Sequence, residues 1–581
     1  MCRSAGSTNG CEATPGIFLD WDILFGLASY LPRSSLIIYM STCKELRDHG
    51  VHSLLAEHGP ISFSSARAIE SFHCFITSDI ATGDSRGRGM HIRMLDLRTN
   101  SEKLNWALYD LSEPSVLAHV VEILWLATGL QTLHISGFAL WLNIFRDHLR
   151  ALPSIFSTLR RLQFSIGSLR TLGSEWRPEQ ITELLQDVKH IPLRVLVVDS
   201  YFEDSDLRPS IVQLFSVFAD TIEELHVSNS IFVLPPMHDH ALRFPRVQRL
   251  SVSGLYWTHS SLTDLGSIIA YFPNMRSLAF GPPFYCIPIG RRNPLWWQAA
   301  VNPSITVSPP RTIYSLVSMT NMQPPAIIRE DALREQHGLI QQNAGWTALD
   351  YLGGCCDHLY GLAITSKVDR LDIYDTITLG TAATMISQVN TILRDCSPTR
   401  VSLTVTYSPK PEMSTQDGQL ADLLPRPLPR PLQYLQINTE GRIDTTSLRS
   451  QLPGLVVRAT GAKTVIVTHK GNATTSYTNL RTENEVGRQH KDFVSYLASL
   501  SPTLRYIGLP EDLFGPNPVS DVNTNSSAIL FEPEPEATPT LYWAIEYVEG
   551  GDICVNGVSL DIAVTRILEL TERPIVTSVF E

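Results

Sequence analysis

No stretch of this 581-residue chain is apolar for long enough to cross a bilayer. The longest candidate, residues 116–130, is interrupted by His119 and Glu122 and falls short of the ~20 residues a spanning helix needs. Residues 1–14 lack the apolar core of a secretory signal and read as a disordered tail. No run of Lys and Arg is dense enough to follow a phosphate backbone. With a net charge of −12 and a pI near 5.8, neither nucleic acid nor a membrane surface is expected as a partner. The nine cysteines form no CxxC pair, which excludes a zinc knuckle and argues against a disulfide framework. A cytoplasmic and/or nuclear location is expected. The sequons at Asn472 and Asn525 then carry no meaning, because glycosylation needs a secretory route.

Catalytic and cofactor signatures are equally thin. Gly83-Asp84-Ser85-Arg86-Gly87 matches the G-x-S-x-G pattern of a hydrolase nucleophile elbow. That elbow needs a strand before it and a helix after it, whereas residues 90–97 read as a strand. Asp187 and His190 have triad-like chemistry but fall on a predicted helix. Gly461-Ala462-Lys463-Thr464 resembles the end of a phosphate-binding loop, yet Ala462 intervenes and the upstream Gly is absent. His238-Asp239-His240 and Cys355-Cys356-Asp357-His358 are the ligand-rich clusters that stand out. Each lacks a second pair of ligands at metal spacing, so a surface loop and a partly buried thiol pair are expected. No enzyme activity, cofactor or metal is expected; a serine hydrolase using Ser85 ranks third among the readings.

What is present begins at residues 19–47, LDWDILFGLASYLPRSSLIIYMSTCKELR. Leu19, Ile23, Leu27 and Leu31 recur every four residues and Leu24 joins them, which predicts a buried helical stripe. Pro32 stops that helix. Ser34 and Ser35 are expected to cap a second, carrying Leu36, Ile37 and Met40, and Cys43, Leu46 and Leu54 extend the pattern into a third. Three short helices in roughly 40 residues bury their apolar surface poorly alone and call for a neighbour or partner.

These residues resemble an F-box: Leu-x-x-acid-Ile-Leu, then Leu27, Leu31, Leu36 and Cys43-Lys44-x-Leu46-Arg47. The family's usual Pro after the first Leu is Asp20 here, with Trp21 following. The resemblance implies a substrate-receptor subunit of an SCF-type ubiquitin ligase. Its residues 15–60 would dock a Skp-family adaptor, and through it a cullin, using Leu19, Asp22, Ile23, Leu24, Leu27, Leu31, Leu36, Met40, Cys43, Lys44 and Leu46.

The second signal is internal repetition. The pattern L-x-x-L-x-L, with other apolar residues allowed, returns at Leu130/Leu133/Ile135, Leu159/Leu162/Phe164, Leu193/Leu196/Val198, Ile222/Leu225/Val227, Val247/Leu250/Val252 and Met275/Leu278/Phe280. Steps between the middle residues are 29, 34, 29, 25 and 28. Helical periodicity lies between, at 178–189, 209–219 and 260–271. Strand, turn and helix at this spacing is the leucine-rich-repeat rhythm. Pro at Ile191-Pro192, Phe244-Pro245, Phe272-Pro273 and Ser501-Pro502 suits the turn into each strand. Later the array loses regularity. Leu359/Leu362/Ile364 and Val368/Leu371/Ile373 are too close to be separate repeats; Leu432/Leu435/Ile437 and Leu504/Ile507/Leu509 read as strands, Val401/Leu403 and Val465/Val467 less so.

The expected architecture is therefore α/β: a short N-terminal helical F-box followed by an irregular leucine-rich-repeat-like solenoid. Residues 61–125 would be linker and cap, and 126–510 the degenerate array, with insertions at 281–311 and 408–431. The second insertion ends in the polyproline-like PRPLPRP. An acidic, Pro-rich linker follows at 511–540, then a C-terminal cap at 541–581, with a hairpin around Gly550-Gly551 and a helix over 561–570. Residues flanking the second Leu of each strand face the open side. Arg161, Gln163, Glu224, His226 and Arg249 are thus the expected contacts to an unknown protein substrate, with Val195, Val197 and Ser251 beside them. The whole resembles the F-box proteins of filamentous and mushroom-forming fungi. The rival reading is a non-ligase interaction scaffold whose box-like helices only cap the array.

Overall fold

A computed structural model describes residues 21–28, 30–56, 59–63, 65–78, 87–97, 114–136, 157–166, 191–200, 215–228, 243–253, 265–281, 330–379, 383–407, 420–440, 445–459, 461–470, 483–514, 540–548 and 552–559, with 185, 186, 189 and 562. Two compact units divide it, Met1–Val198 and Asp199–Glu581. The division falls inside the span expected to be one array. Among the described residues no helix is long and apolar enough to cross a membrane.

The first unit opens with three short helices, α1 (Trp21–Ala28), α2 (Arg33–Met40) and α3 (Lys44–Ala56). Strand β1 (Ile61–Ser62), helix α4 (Ala66–Thr77), β2 (Met94–Leu97), α5 (Pro114–Leu126), β3 (Thr132–Ser136) and β4 (Arg161–Ile166) follow. The four strands pair in parallel and in sequence order, and the register aligns Ile61, Leu95, Leu133 and Leu162, all buried. Strand β5 (Val195–Ser200) crosses the boundary between the units.

In the second unit the same arrangement runs further. Its strands are β6 (Glu224–Ser228), β7 (Arg249–Ser253), β8 (Ser277–Phe280), β9 (Ala348–Gly354), β10 (Lys367–Leu379), β11 (Arg400–Tyr407), β12 (Tyr434–Glu440), β13 (Thr464–Lys470) and β14 (Tyr506–Pro510). All nine pair in parallel, each with the next in sequence. An antiparallel hairpin, β15 (Thr540–Tyr547) and β16 (Ile553–Val558), ends the sheet as expected. Parallel neighbours need a crossover each time. Six of the eight are supplied by α6 (Leu265–Tyr271), α7 (Glu330–Ala344), α8 (Cys356–Leu362), α9 (Ala383–Cys396), α10 (Thr445–Arg458) and α11 (Glu483–Leu500); between β11 and β12 a 3-10 turn, Leu420–Leu423, stands in place of a helix, and the β6–β7 connection lies mostly outside the described residues. Strand order never doubles back, and α6 packs on α7, α7 on α8, α8 on α9 and α10 on α11, which gathers these helices on one face of the sheet and leaves the other free of them.

One line of side chains runs the length of this unit's core. Leu225, Leu250, Leu278, Leu352, Leu371, Val401, Leu435, Val465 and Ile507 stand in register on successive strands, none more than 1% exposed. The Phe-Pro turns add an aromatic pair: Phe244 and Phe272 are fully buried with ring centroids 5.6 Å apart. The Trp346 indole Nε1–H donates to the Phe272 carbonyl at 3.0 Å.

All six expected strand triplets are strands, β3 to β8. Several other expectations need correction. Leu359 and Leu362 belong to helix α8, not to a strand, because Cys355 leaves an extended cap and helix follows at once. The pairs at Val401 and Val465 are full strands of eight and seven residues, their polar alternation reflecting one open face. Strand β9 was not anticipated. Residues 90–97 begin as a 3-10 turn, Arg88–His91, before β2. PRPLPRP bends repeatedly instead of running extended. The expected helices at 178–189 and 209–219 lie mostly, and the insertion 281–311 and linker 515–539 almost wholly, outside the described residues, as does the helix at 561–570.

Leu250 sits between Leu225 and Leu278 with no route to solvent. Replacing it with Ala is expected to cost about 2–5 kcal/mol in a urea melt. Hydrogen exchange should loosen β6 and β8 while the β15–β16 hairpin keeps its protection; uniform loosening to β16 would show that the sheet does not fail locally.

Candidate functional site

Two surfaces stand out, one in each unit. In the first, α1 and α2 are tied by the Tyr39 hydroxyl, which donates to the Leu24 carbonyl. Pro32, not Ser34 or Ser35, caps α2: its extended backbone (ψ 148°) aims its carbonyl at Leu36 N–H, 2.9 Å away. Cys43 caps α3, its carbonyl taking Arg47 N–H at 3.1 Å and its thiol lying 3.5 Å from Leu46 N. Gly50 lets α3 close on α2, because a Cβ there would overlap the Met40 side chain.

The expected stripe is not buried. Ile23 is 59% exposed and Leu27 42%; Tyr30, Ile37 and Ile38 are exposed beside them in sequence. Five of the eleven large exposed hydrophobics among the described residues lie between 23 and 38. Leu24, Leu31 and Cys43 are half-buried and Lys44 is exposed. Leu36, Met40 and Leu46 are buried and hold the helices together. The reason is geometric: α1 and α2 have eight residues each and can turn only one or two side chains onto α3. Asp22 falls in α1, and Leu19 lies outside the described residues.

The second surface is the open sheet face of the Asp199–Glu581 unit. Glu224, His226 and Arg249 meet there: Arg249 pairs with Glu224 at 2.7 Å and His226 Nε2 lies 3.6 Å from the same carboxylate. Ser251 beside them is buried, and Arg161 and Gln163 belong to β4 in the other unit. A denser network on β9–β13 escaped sequence reasoning. Asp372 holds Arg370 through both oxygens, at 3.0 and 2.9 Å, beneath the Tyr351 ring. Tyr351 and Tyr374 share a hydroxyl hydrogen bond of 2.7 Å, in space that Gly353 leaves by having no side chain. Tyr434 donates to Gln436, and Gln436 to Asn438, both at 2.8 Å; Thr468 also donates to Asn438 at 2.9 Å. Tyr434 and Tyr542 pack around Ile466, an apolar island on the same face. Burial pushes the Tyr351, Tyr374 and Tyr434 phenols above their ordinary value, so all three stay neutral donors. The rule that gave Arg249 gives Arg370, Asp372, Tyr434 and Gln436 when applied to Leu371 and Leu435.

The motifs set aside in the sequence fare as follows. Ser85, His190 and His238-Asp239-His240 lie outside the described residues. Gly461 (φ +86°) turns the chain from α10 into β13, the reverse of the strand-to-helix order a phosphate loop needs. Cys355 and Cys356 are buried thiols at the start of α8, with Cys356 N–H donating to the Asp375 carboxylate. A further ligand-rich cluster, His73, His119 and Glu122, was not anticipated, since its members come from two helices. No protein-family model matches the chain, and no curated protein matches it.

His358, next to the thiol pair, has a pH signature. Burial lowers its imidazole from the ordinary 6.5 to about 4. Between those values the unfolded chain binds a proton that the folded chain refuses, so the stability this residue confers is complete above pH 6.5 and lost as pH falls toward 4. From pH 7 to 4.5 the wild type is expected to lose roughly 2–3 kcal/mol more than His358→Gln in chemical melts. Equal losses would show that His358 does not titrate in that window.

Proposed function

We propose that this chain is a substrate-receptor subunit of an SCF-type ubiquitin ligase. The helices of residues 15–60 act as an F-box that docks a Skp-family adaptor and through it a cullin. The sheet and its helices act as an irregular leucine-rich-repeat-like solenoid that holds the protein to be ubiquitinated. Catalysis belongs to the associated enzymes, and this chain contributes proximity.

The observation that carries the reading is the exposed apolar set Ile23, Leu27, Tyr30, Ile37 and Ile38 on two short helices and the turn between them. Scattered single hydrophobics are ordinary on a surface, but a concentration of them marks an interaction site. The open face supports the other half of the proposal. Neutral tyrosines and a braced Arg370 offer the rigid aromatic and Arg anchors that protein interfaces favour. In this proposal β9–β13 and β15 join Arg161, Gln163, Glu224, His226 and Arg249 in reading the substrate.

One observation favours the scaffold rival. Helix α3 is fastened to the start of the sheet, with Arg93 N–H reaching the Leu55 carbonyl at 3.4 Å and His52 against His91 at 2.9 Å. A cap would be fastened so. A cap does not need α1 and α2 to leave their apolar side chains in water, and the ligase reading explains that exposure.

The test uses residues that a partner can reach. Leu36 is a poor target, because a carboxylate there would unfold the helices. Ile23→Asp with Ile38→Asp places charge only on the exposed side. Each lost anchor commonly costs over 2 kcal/mol, or more than about thirtyfold in affinity. The double variant is expected to keep its fold and lose co-purification with a Skp-family adaptor. Wild-type protein that captures no adaptor, or a double variant that captures it normally, would refute the proposal.

A further inference from the structure

Helices α4 and α5 of the first unit pack together along apolar stripes, Ile69 and Ile76 on one, Val116, Val120 and Ile123 on the other. Helical spacing puts His73 on the stripe between Ile69 and Ile76. On α5, His119 and Glu122 are three residues apart and so share one side of the helix. The result is a cluster of ligating atoms from His73, His119 and Glu122, all within 4.8 Å of one another.

Its internal geometry is not that of a finished hydrogen-bond network. His73 Nε2 lies 2.8 Å from Glu122 Oε2, yet this buried nitrogen makes no directed hydrogen bond. The His73 and His119 rings sit 4.4 Å apart between centroids, tilted by 38°, which brings two imidazoles to the same carboxylate. A tetrahedral zinc ion with bonds of 2.0–2.2 Å keeps its ligand atoms about 3.3 Å apart. With one pair at 2.8 Å and every pair within 4.8 Å, the cluster brackets that scale. The helix backbones beneath are fixed by packing. Thr77 Oγ1 also donates to the His73 carbonyl at 2.8 Å, and a row of rings, Phe63, Phe72 and Phe75, runs along α4.

We propose that His73, His119 and Glu122 bind a zinc-class divalent cation that clamps α4 to α5. Two imidazoles and one carboxylate suit a borderline transition metal and not magnesium or calcium, which prefer all-oxygen shells. The Glu122 side chain is 56% exposed, so the fourth position faces water. The clamp joins elements distant in sequence, and binding the folded form alone raises its stability. It does not depend on the ligase reading.

Untagged full-length protein, stripped with a chelator and titrated with zinc chloride by calorimetry, is expected to take up one ion per chain through this site. The thermal midpoint should rise with zinc and not with magnesium. His119→Ala and Glu122→Gln should each weaken that uptake at least about tenfold while leaving circular dichroism unchanged. Glu122 is exposed enough for Gln to be tolerated should His119→Ala fail to fold. Cobalt separates this site from the cysteines, because ligation by His and Glu gives no thiolate charge-transfer band. Absence of uptake, uptake unchanged in Glu122→Gln, or a thiolate band would overturn the proposal and leave the trio an ordinary ion pair with a ring stack.

Discussion

From Leu225 to Ile507 a single line of buried aliphatic side chains crosses nine parallel strands, and strand register holds it in place. Side chains alternate between sheet faces with a period of two, so a one-residue slip at any pairing would turn that strand's apolar residues into water. The same slip would drive Arg370, Asp372 or Gln436 into the helix layer. Register is thus specified twice, once by what must be inside and once by what cannot be. It also decides which polar groups become neighbours. Asp372, Ser402 and Gln436 lie side by side only because Leu371, Val401 and Leu435 do.

This coupling explains why the open face is organised instead of merely hydrated. A guanidinium as shielded as Arg370 needs a partner, and Asp372, two residues along the same strand, satisfies it through both oxygens. The tyrosine hydroxyls, the Gln436 amide and the Asn438 amide bond to one another along and across strands, so their positions are set before anything binds. A surface ordered in advance loses less entropy on association than a mobile one. Gly353 and Gly508 serve this arrangement by absence: a Cβ at either would crowd a tyrosine, Tyr374 and Tyr351 in the first case and Tyr542 in the second.

How legible this was in the sequence varied with the kind of signal. Triplets such as Leu225-x-Val227 and Leu250-x-Val252 stood out because strand, face and burial agree on one pattern. Strand β9 did not, because ALDYLGG spends two of its seven positions on glycine and reads as a turn. Leu359 and Leu362 are spaced like a strand triplet but also like a helix face, and periodicity over four residues cannot separate the two. The site was harder still. Glu224, His226 and Arg249 followed from the alternation rule, whereas Tyr351 with Tyr374 depends on the gap over Gly353. His73 and Glu122 are 49 positions apart, and only the packing of α4 on α5 brings them together. Sequence spacing finds ligands on one element; it does not find ligands shared between two.

The N-terminal helices fit the same logic by contrast. On strands β2, β3 and β6 to β14 the apolar residues of the register column are covered. In α1 and α2 the periodicity is just as regular, yet eight residues per helix provide too little facing surface, and Ile23, Leu27, Ile37 and Ile38 stay in water. Leu36, Met40 and Leu46 use up what interior there is. The polar bond from Tyr39 to Leu24 then fixes the angle between the helices without adding apolar cover. Other exposed large hydrophobics, such as Trp125, Leu339 and Tyr496, stand singly on longer helices, whereas residues 23–38 hold five of the eleven among the described residues. At roughly 25 cal/mol per Å² of apolar surface removed from water, those side chains are the part of the first unit with most to gain from a partner. A partner docked there would complete a core that the sequence begins and cannot close.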